Sequence, residues 1–296
     1  MKNKLSILLS SFLIFGSSCS FYNNTKQSEK YSYFQLTDDN QNNIDNLINS
    51  TYKLRQDSSY IETITDGENR ILLKKYHEEK HFGSLFAFGR DSNKTYFATA
   101  EHCLAQQPKI KEKEHLDGLV KSNFALEKTT LNIIRYNKNE EEILGELKEI
   151  VRSEEYDSAI LMCTDLDPKK FPVYSRFIEP KLLKQGQFIY SIGFPHNSVS
   201  WGKQLNQGII SSLDTEQLPF DKKKVIFTEA TLDHGMSGGP SYILIDRDPY
   251  VVGVNSGIFG NLRNKYGVAS GLLDLIKKNK MDKFITIYES EKTKVY

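Results

Sequence analysis

Net charge is almost absent from this chain of 296 residues. Lysine and arginine together number 39 and aspartate and glutamate 38, so the formal charge is +1. Domains that bind nucleic acid usually concentrate basic residues on one face, and this balance therefore argues against a nucleic-acid partner. Hydrophobic residues at 39% and charged residues at 26% are typical of a globular protein, with material for one large domain or two small ones.

Long apolar runs are also scarce. The run at the N-terminus, Leu5 to Phe15, has 11 residues, whereas a helix that spans a bilayer takes roughly 20. It follows the basic stretch MKNK and precedes small residues, which is the pattern of a secretory signal. We therefore predict that residues 1–18 are a signal peptide and that the protein is exported.

Only three cysteines are present. The first, Cys19, follows Gly16-Ser17-Ser18, and this stretch resembles a bacterial lipoprotein signal, in which the cysteine after the cleavage site is lipidated. The usual motif has a leucine-like residue at the position of Gly16, and an ordinary signal peptidase would also cut after Ser18. Two interpretations follow. The protein is a lipoprotein anchored to a membrane through Cys19, in the periplasm or at the cell surface, which we prefer, or it is secreted and Cys19 has no role.

The other two cysteines, Cys103 and Cys163, stand 60 residues apart. That separation says nothing about whether their Cα atoms come within the roughly 7 Å that a disulfide requires. Each lies in an apolar, strand-like context, and a chain of this length is stable without a covalent crosslink. We predict two buried, unpaired thiols.

The chain divides into a polar segment near the N-terminus and two β-rich segments. Residues 19–56 are rich in Asn, Gln, Ser, Asp and Lys and predict a flexible tether with one short helix. Short runs rich in β-branched and aromatic residues follow in two sets, residues 57–178 and residues 179–296, with no regular alternation of strand and helix. This pattern favours an all-β protein with two β-barrels over a parallel α/β sheet. The apolar spacing from Ser270 to Lys280 predicts a helix near the end.

The stretch GMSGGP, residues 235–240, contains a serine motif that two unrelated enzyme classes share. An α/β-hydrolase carries its triad in the order serine, acid, histidine. All six histidines of this chain precede Ser237, so that order lacks a general base. The hydrolase motif also requires a helix after the serine, whereas Pro240 and the apolar run SYILI predict a strand. The esterase interpretation is therefore excluded.

The order histidine, aspartate, serine is available instead. His102 follows the apolar part of YFATAEHC, and Asp157 opens the apolar strand of YDSAILM. An acid placed immediately before a buried strand can hold an imidazole from the side. These two residues and Ser237 have the order and the contexts that a Ser-His-Asp triad needs.

The stretches TAEHC, YDSAILM and GMSGGP resemble the three catalytic motifs of the trypsin/chymotrypsin clan, and more closely those of its bacterial HtrA-like and glutamyl-endopeptidase-like branches. Secondary matches (GSLFAFG, YSIGFP, QGIISSL and VVGVNSG) extend the resemblance from about Gly83 to Leu275. It implies a chymotrypsin-like fold with two six-stranded antiparallel β-barrels, a C-terminal helix and a site in the cleft between the barrels. The downstream PDZ domain of many HtrA proteases is not expected. Protein or peptide substrates are implied, and no metal or organic cofactor.

The resemblance also implies a role for each residue of the site. Ser237 is the nucleophile, His102 is the base that takes its proton, and Asp157 fixes the imidazole. The N–H groups of Gly235 and Ser237 form the oxyanion hole, which stabilises the negative oxygen of the tetrahedral intermediate.

Fewer signals bear on specificity. By correspondence with the family, Thr231 lies at the base of the primary pocket, and its lack of charge argues against an Arg/Lys preference. His234 is a candidate to line the cleft and favour an acidic side chain, the alternative being an ordinary surface-loop histidine. His196 is expected in a turn. Four residues are expected to line the cleft and pair with extended substrate backbone: Val254, Asn255, Ser256 and Gly257.

Met236 departs from the pattern of the animal enzymes. Animal trypsins have an aspartate immediately before the serine, and this aspartate pairs with a newly cut N-terminus on activation. A methionine cannot form that ion pair. We therefore expect that activation through a new N-terminus does not operate here.

Together these signals predict an exported serine endopeptidase that works through an acyl-enzyme. Two alternatives belong to other classes: a binding protein that keeps the protease fold without turnover, and an adhesin or virulence factor whose main task is host contact. The intact His102, Asp157 and Ser237 argue against the first, because a decayed site usually loses one of them. Export and a tether permit the second without favouring it.

Overall fold

The computed structural model describes residues 38–104, 113–115, 120–137, 140–164, 167, 170–196, 202–213, 225–258, 266–269 and 271–289. Strands dominate these residues. Of the two α-helices within them, neither is long and apolar enough to cross a bilayer. The elements are helix α1 (Asp38–Asn49), strands β1 (Thr51–Asp66), β2 (Ile71–Asp91), β3 (Lys94–Thr99), β4 (Lys113–His115), β5 (Val120–Asn137), β6 (Glu140–Ser153), β7 (Ser158–Thr164), β8 (Arg176–Ile178), β9 (Phe188–Gly193), β10 (Gln204–Ser212), β11 (Val225–Thr228), β12 (Pro240–Ile245), β13 (Asp248–Ile258) and β14 (Tyr266–Ala269), helix α2 (Leu272–Lys278) and strand β15 (Thr286–Tyr288).

Strands β1 to β7 build the first barrel. Their sheet has the order β1-β2-β3-β7-β6-β5-β4, and antiparallel pairing of β1 with β5 closes six of the strands into a ring. Successive side chains of a strand point to opposite faces of its sheet, so every second residue can enter the ring. Five fully buried apolar side chains occupy this interior: Leu54, Leu85, Phe97, Ile133 and Leu161.

The second barrel uses strands β9 to β14. Their order is β12-β9-β10-β11-β14-β13, and pairing of β12 with β13 closes the ring. Strand β8 lies parallel to β13, and β15 lies parallel to β8, outside the ring. Branched aliphatic side chains fill the interior: Ile189, Ile210, Ile226, Ile243 and Val252.

A third apolar cluster, called the inter-barrel cluster here, lies between the two barrels and includes residues of both. Strand β2 shows how it arises. Leu85 and Ala87 face the interior of the first barrel. Phe86 and Phe88, on the opposite face, enter the inter-barrel cluster. Because both faces are buried, this part of the strand is an unbroken apolar run. Helix α2 closes the same cluster with Leu272 and its apolar neighbours.

The prediction of an all-β fold with two six-stranded barrels and a C-terminal helix is confirmed. Helix α2 lies within the predicted range Ser270 to Lys280.

The predicted tether needs a correction, because residues 38–56 are folded. Helix α1 buries Leu47 completely in the inter-barrel cluster, and β1 starts at Thr51 with Leu54 fully buried in the first barrel. The predicted signal peptide, Cys19 and the rest of the predicted tether lie outside the described residues.

Cys103 and Cys163 are free thiols, in agreement with the prediction. Cys163 is buried in the first barrel. Cys103 is only partly buried, which corrects the expectation of two buried thiols, because it follows His102 into the cleft and its Sγ lies 3.4 Å from the carbonyl oxygen of Ser237.

Candidate active site

His102 leaves the first barrel directly after strand β3. A short 3-10 helix, Glu101–Cys103, begins beyond the buried end of that strand. The imidazole is 37% exposed and lines a cavity that Ser237 also lines. Its Nδ1 lies 3.0 Å from both carboxylate oxygens of Asp157, and the main-chain N–H of His102 donates to Oδ1 at 3.2 Å. The other ring nitrogen, Nε2, is the one left to exchange a proton with substrate-side groups.

Asp157 ends the turn of residues 154–157 just before strand β7 and is fully buried. Its φ of +43° lies in the left-handed region, which costs an ordinary residue about 1–2 kcal/mol and which aspartate tolerates better than most. Ser256, on β13 of the second barrel, donates a hydrogen bond to Oδ2. With the two donors of His102, this hydroxyl satisfies a carboxylate that burial would otherwise destabilise. The acid is therefore fixed from both barrels.

The surroundings of His102 raise its pKa. Burial of the ring opposes protonation, but the hydrogen bond to the Asp157 carboxylate and the contact with Cys103 outweigh it, so the pKa of His102 lies above its ordinary value. A raised pKa means that the ring holds an accepted proton more strongly. That property suits a group that must remove a proton from a hydroxyl.

The serine loop, residues 233–239 between β11 and β12, is held against strand β2 of the first barrel. Ser84 donates twice to it, from N–H to the carbonyl of Ser237 at 2.7 Å and from Oγ to the carbonyl of Gly235 at 2.8 Å. Gly238 has a φ of +86°, and a β-carbon there would collide with the carbonyl oxygen of Ser84 and with Thr99 Oγ1. Only glycine therefore fits after the serine at this distance from β2.

The N–H of Gly235 is aimed by the peptide that carries it. In a trans peptide the C=O and the following N–H point in opposite directions, and no described peptide is cis. The carbonyl of His234 accepts a hydrogen bond from the N–H of His196 at 2.5 Å, on the side of the loop after β9. The N–H of Gly235 must face the other way, and it donates to no described residue.

The N–H of Ser237 is aimed in the same manner. The preceding carbonyl, that of Met236, accepts from Asn255 Nδ2 at 3.0 Å and from the N–H of Gly239 at 3.1 Å. Within the described part of the chain the N–H of Ser237 has no acceptor either. Two N–H donors whose preceding carbonyls are fixed behind them are what an oxyanion hole requires.

Asn255 is a residue that sequence reasoning placed wrongly. Its side chain is fully buried and does not line the cleft. Nδ2 donates to the carbonyls of Ile192 (2.9 Å) and Met236, while Oδ1 accepts from Ser241 Oγ at 2.6 Å, and Ser241 in turn contacts Ser191 Oγ at 2.8 Å. This chain of neutral groups, the Asn255 network, supports the serine loop from inside the second barrel.

The neighbours of Asn255 also depart from expectation. Val254 is fully buried in the inter-barrel cluster, because β13 is covered on both faces at this point. Ser256 is buried, and its hydroxyl donates to Asp157, so its side chain positions the acid. Gly257 alone of the four is partly exposed. A bulge in the pairing of β13 with β14, between Asn255 and Gly257, breaks the alternation that would expose every second side chain.

Thr231 and His234 are the remaining residues predicted for specificity. Thr231 is exposed, and it is not among the described residues that line the cavity with Ser237. Its carbonyl accepts from Asn206 Nδ2 at 2.5 Å. His234 does line the cavity, and so does His196, which was expected only to form a turn. The expectation of a turn at His196 gave no indication of this placement.

Met236 is fully buried, and its main-chain groups are held by Asp233, Gly239 and Asn255. Its Sδ lies 3.6 Å from Asn206 Nδ2. The residue before the serine is thus anchored by apolar packing and neutral hydrogen bonds, with no ion pair.

Comparison with known families fits this geometry. A model of the trypsin-like peptidase domain matches residues 83–254, more than half of the chain, and the matched range contains His102, Asp157 and Ser237. The chain belongs to the trypsin-like peptidase family. This trypsin-like peptidase is therefore a serine protease. Ser84 is a residue of its site that the sequence analysis did not name, and Asn255 and Ser256 have roles that differ from the predicted ones.

Solved structures of an HtrA-type protease share the fold of this peptidase. The protease AlgW with a decapeptide has a TM-score of 0.52 and 18% sequence identity, and the match covers 82% of this chain and 67% of that one. AlgW with a tripeptide has a TM-score of 0.51 and 16% identity, covering 82% of this chain and 64% of that one. The chain thus spans about two thirds of the length of these neighbours, and identities this low show likeness of fold alone. No curated protein sequence matches the chain.

The Asn255 network predicts the effect of one substitution. In Asn255→Leu, the carbonyl of Met236 loses its side-chain donor and keeps only the N–H of Gly239, so the N–H of Ser237 is held less firmly. We expect kcat to fall by about 10²-fold, the order of magnitude for loss of one oxyanion donor, while KM changes little. Affinity for a peptide aldehyde, which forms a tetrahedral adduct, should fall in parallel with kcat.

The matched control is Asn206→Leu. The amide of Asn206 also donates to this part of the chain, to the carbonyl of Thr231 and the sulfur of Met236. It does not contact a carbonyl that precedes either proposed oxyanion N–H group. Its effect on kcat should be much smaller. If the two variants lose kcat equally, or if Asn255→Leu changes KM alone, the role assigned to Asn255 is wrong.

Proposed function

We propose that this trypsin-like peptidase is an exported endopeptidase that hydrolyses peptide bonds through an acyl-enzyme, with Ser237, His102 and Asp157 as its triad. The observation that carries the proposal is the pairing of His102 Nδ1 with the buried Asp157 at 3.0 Å, on the wall of the cavity that Ser237 also lines. The directed N–H groups of Gly235 and Ser237 add the electrostatic component.

The proposed reaction has two halves. Ser237 Oγ attacks the scissile carbonyl carbon while its proton passes to His102 Nε2, and the oxygen that becomes negative accepts hydrogen bonds from Gly235 and Ser237. The C–N bond then breaks as His102 returns the proton to the leaving amine, and an ester on Ser237 remains. Water, deprotonated by His102, attacks that ester in the same way and releases the acid. Asp157 stabilises the imidazolium in both halves.

Support for peptide substrates and export comes from outside the site. The AlgW structures hold a decapeptide and a tripeptide, and a shared fold makes peptides the first substrate class to test here. The N-terminal pattern described above supports export, with attachment to a membrane through Cys19 as the preferred form.

Labelling and identification of cleaved termini test this proposal. A serine-directed covalent probe should label the wild type and fail to label Ser237→Ala. New protein termini should appear in cells that carry the wild type and disappear in cells that carry Ser237→Ala, and they should belong to exported proteins. In the same cells, Cys19→Ser should move the protein from the membrane to the soluble fraction.

Three outcomes favour the competing interpretations. A folded wild type that takes no label and generates no termini is a binding protein. A Ser237→Ala variant with full biological activity indicates an adhesin-like role. Cleaved proteins that are all cytoplasmic contradict export.

A further inference from the structure

The cavity beside Ser237 has a volume of about 450 Å³ and a lining rich in groups that can carry positive charge. Besides His102, four such side chains line it: Lys80, His81, His196 and His234. None of the described residues that line it is acidic. In the chain as a whole, 39 lysines and arginines are balanced by 38 aspartates and glutamates, so a lining without acidic residues is not a property of the general surface.

Packing holds the cavity wall in place. The ring of His196 stacks on Phe82, with centroids 5.7 Å apart and an interplanar angle of 22°. The ammonium of Lys53 lies 4.8 Å from the centroid of the same Phe82 ring, and this contact holds the ring in place. The hydrogen bond between the main chains of His196 and His234 ties the two imidazole-bearing loops together. Two carboxylates contact lining residues. Asp157 pairs with His102, and Glu79 Oε2 lies 3.3 Å from His81 Nε2, where both side chains are about half exposed.

The residues that form its wall place the cavity on the leaving-group side of the scissile bond. Its wall consists of strand β2 at residues 80–82, the stretch 102–103, the loop at 196 and the serine loop at 234–237. Strand β13 contributes none of the described lining residues. In the proposed reaction His102 delivers its proton to the leaving amine, so the chain that departs with that amine lies over His102 and enters this cavity.

We propose that this cavity is a subsite for an acidic side chain, aspartate or glutamate, in the first or second residue after the scissile bond. A carboxylate accepts hydrogen bonds from the ammonium of Lys80 and from imidazole N–H groups, and charge complementarity of this kind selects among partners more than it adds affinity. A lysine in the same position is repelled, which adds discrimination. The inference rests on the proposed endopeptidase function and names the substrate class that the function would take.

Matched peptides test the subsite. Three peptides built on one cleaved sequence carry Glu, Gln or Lys in the first position after the scissile bond, and three more vary the second position. For the wild type we expect kcat/KM for the Glu peptide to exceed that for Gln by about fivefold and that for Lys by tenfold or more at one of the two positions, the order of magnitude of partly exposed charge pairs. In Lys80→Glu the ratio of kcat/KM for the Glu peptide to kcat/KM for the Lys peptide should fall toward one or below it.

Controls separate this effect from a change in net charge. Lys74→Glu makes the same charge reversal on the same strand, at an exposed position outside the cavity, and should leave the order of the peptides unchanged. A double variant, His196→Gln with His234→Gln, should also weaken the preference for Glu, since the main-chain hydrogen bond between these residues is kept. A preference for Glu that survives both Lys80→Glu and the double variant would overturn the assignment.

The result also separates the two proposals. Equal cleavage of all six peptides by the wild type contradicts the acidic subsite and supports the endopeptidase function. Failure to cleave any of them, together with absence of probe labelling, overturns both.

Discussion

Alanine in place of His102 should lower kcat by about 10⁶-fold for any peptide that the wild type cleaves, with little change in KM. In the proposed triad the imidazole takes the proton from Ser237, and without it the hydroxyl remains a poor nucleophile. Because the triad acts as a unit, Ser237→Ala should cost about as much, and the double variant His102→Ala with Ser237→Ala no more than either. Residual activity above the uncatalysed reaction should come from the oxyanion hole and from substrate binding.

The histidine content of the chain provides a strict control. His77 lies on strand β2 outside the cavity, where its Nε2 contacts Glu62 Oε2 at 2.9 Å, so His77→Ala should keep full activity. Single-turnover kinetics after titration of active sites measure the loss without interference from traces of wild type. If His102→Ala loses less than tenfold, another imidazole of the cavity, His196 or His234, must act as the base.

Asparagine in place of Asp157 should lower kcat by about 10⁴-fold. The amide can present an N–H toward His102 Nδ1, which favours the tautomer that carries its proton on Nε2, where the proton of Ser237 must arrive. Stabilisation of the imidazolium is lost at the same time. Ser256→Ala, which removes one donor to Asp157 but keeps the charge, should cost far less.

The pH profile distinguishes this role from a structural one. His102 accepts a proton only in its neutral form, so wild-type kcat/KM is full above the pKa of His102 and falls as the pH drops through it. The Asp157 carboxylate helps to raise that pKa, and its removal should move the acid limb of the profile to lower pH. Glu155→Gln, an exposed substitution in the same turn, should leave both kcat and the profile unchanged. An unshifted acid limb in Asp157→Asn would contradict the assignment.

Local sequence patterns were enough to predict the fold class and the positions of the three site motifs. The order of the histidines and the serine along the chain distinguished a chymotrypsin-like protease from an α/β-hydrolase, because all six histidines precede Ser237. The apolar spacing of residues 272–276 predicted helix α2, because the residues of its buried face lie close together in the sequence.

Features that depend on distant partners were beyond this reasoning. Helix α1 is polar in composition, and it is held because Leu47 enters a cluster built from both barrels. The three residues from Val254 to Ser256 are all buried because β13 is covered on both faces and bulges between Asn255 and Gly257. His196 belongs to the cavity because it stacks on Phe82, more than a hundred residues earlier.

The Asn255 network has a consequence for the conditions under which the enzyme keeps its shape. An ion pair between an aspartate and an N-terminal amine weakens in concentrated salt and fails at alkaline pH, since the ordinary pKa of such an amine is about 7.7–8.0. The amide of Asn255 and the hydroxyls of Ser191 and Ser241 neither titrate in that range nor attract counterions. The oxyanion donors should therefore stay in position at low and high salt concentration and well into the alkaline range. Changes of salt concentration or pH should then act on the enzyme through its imidazoles and its substrates.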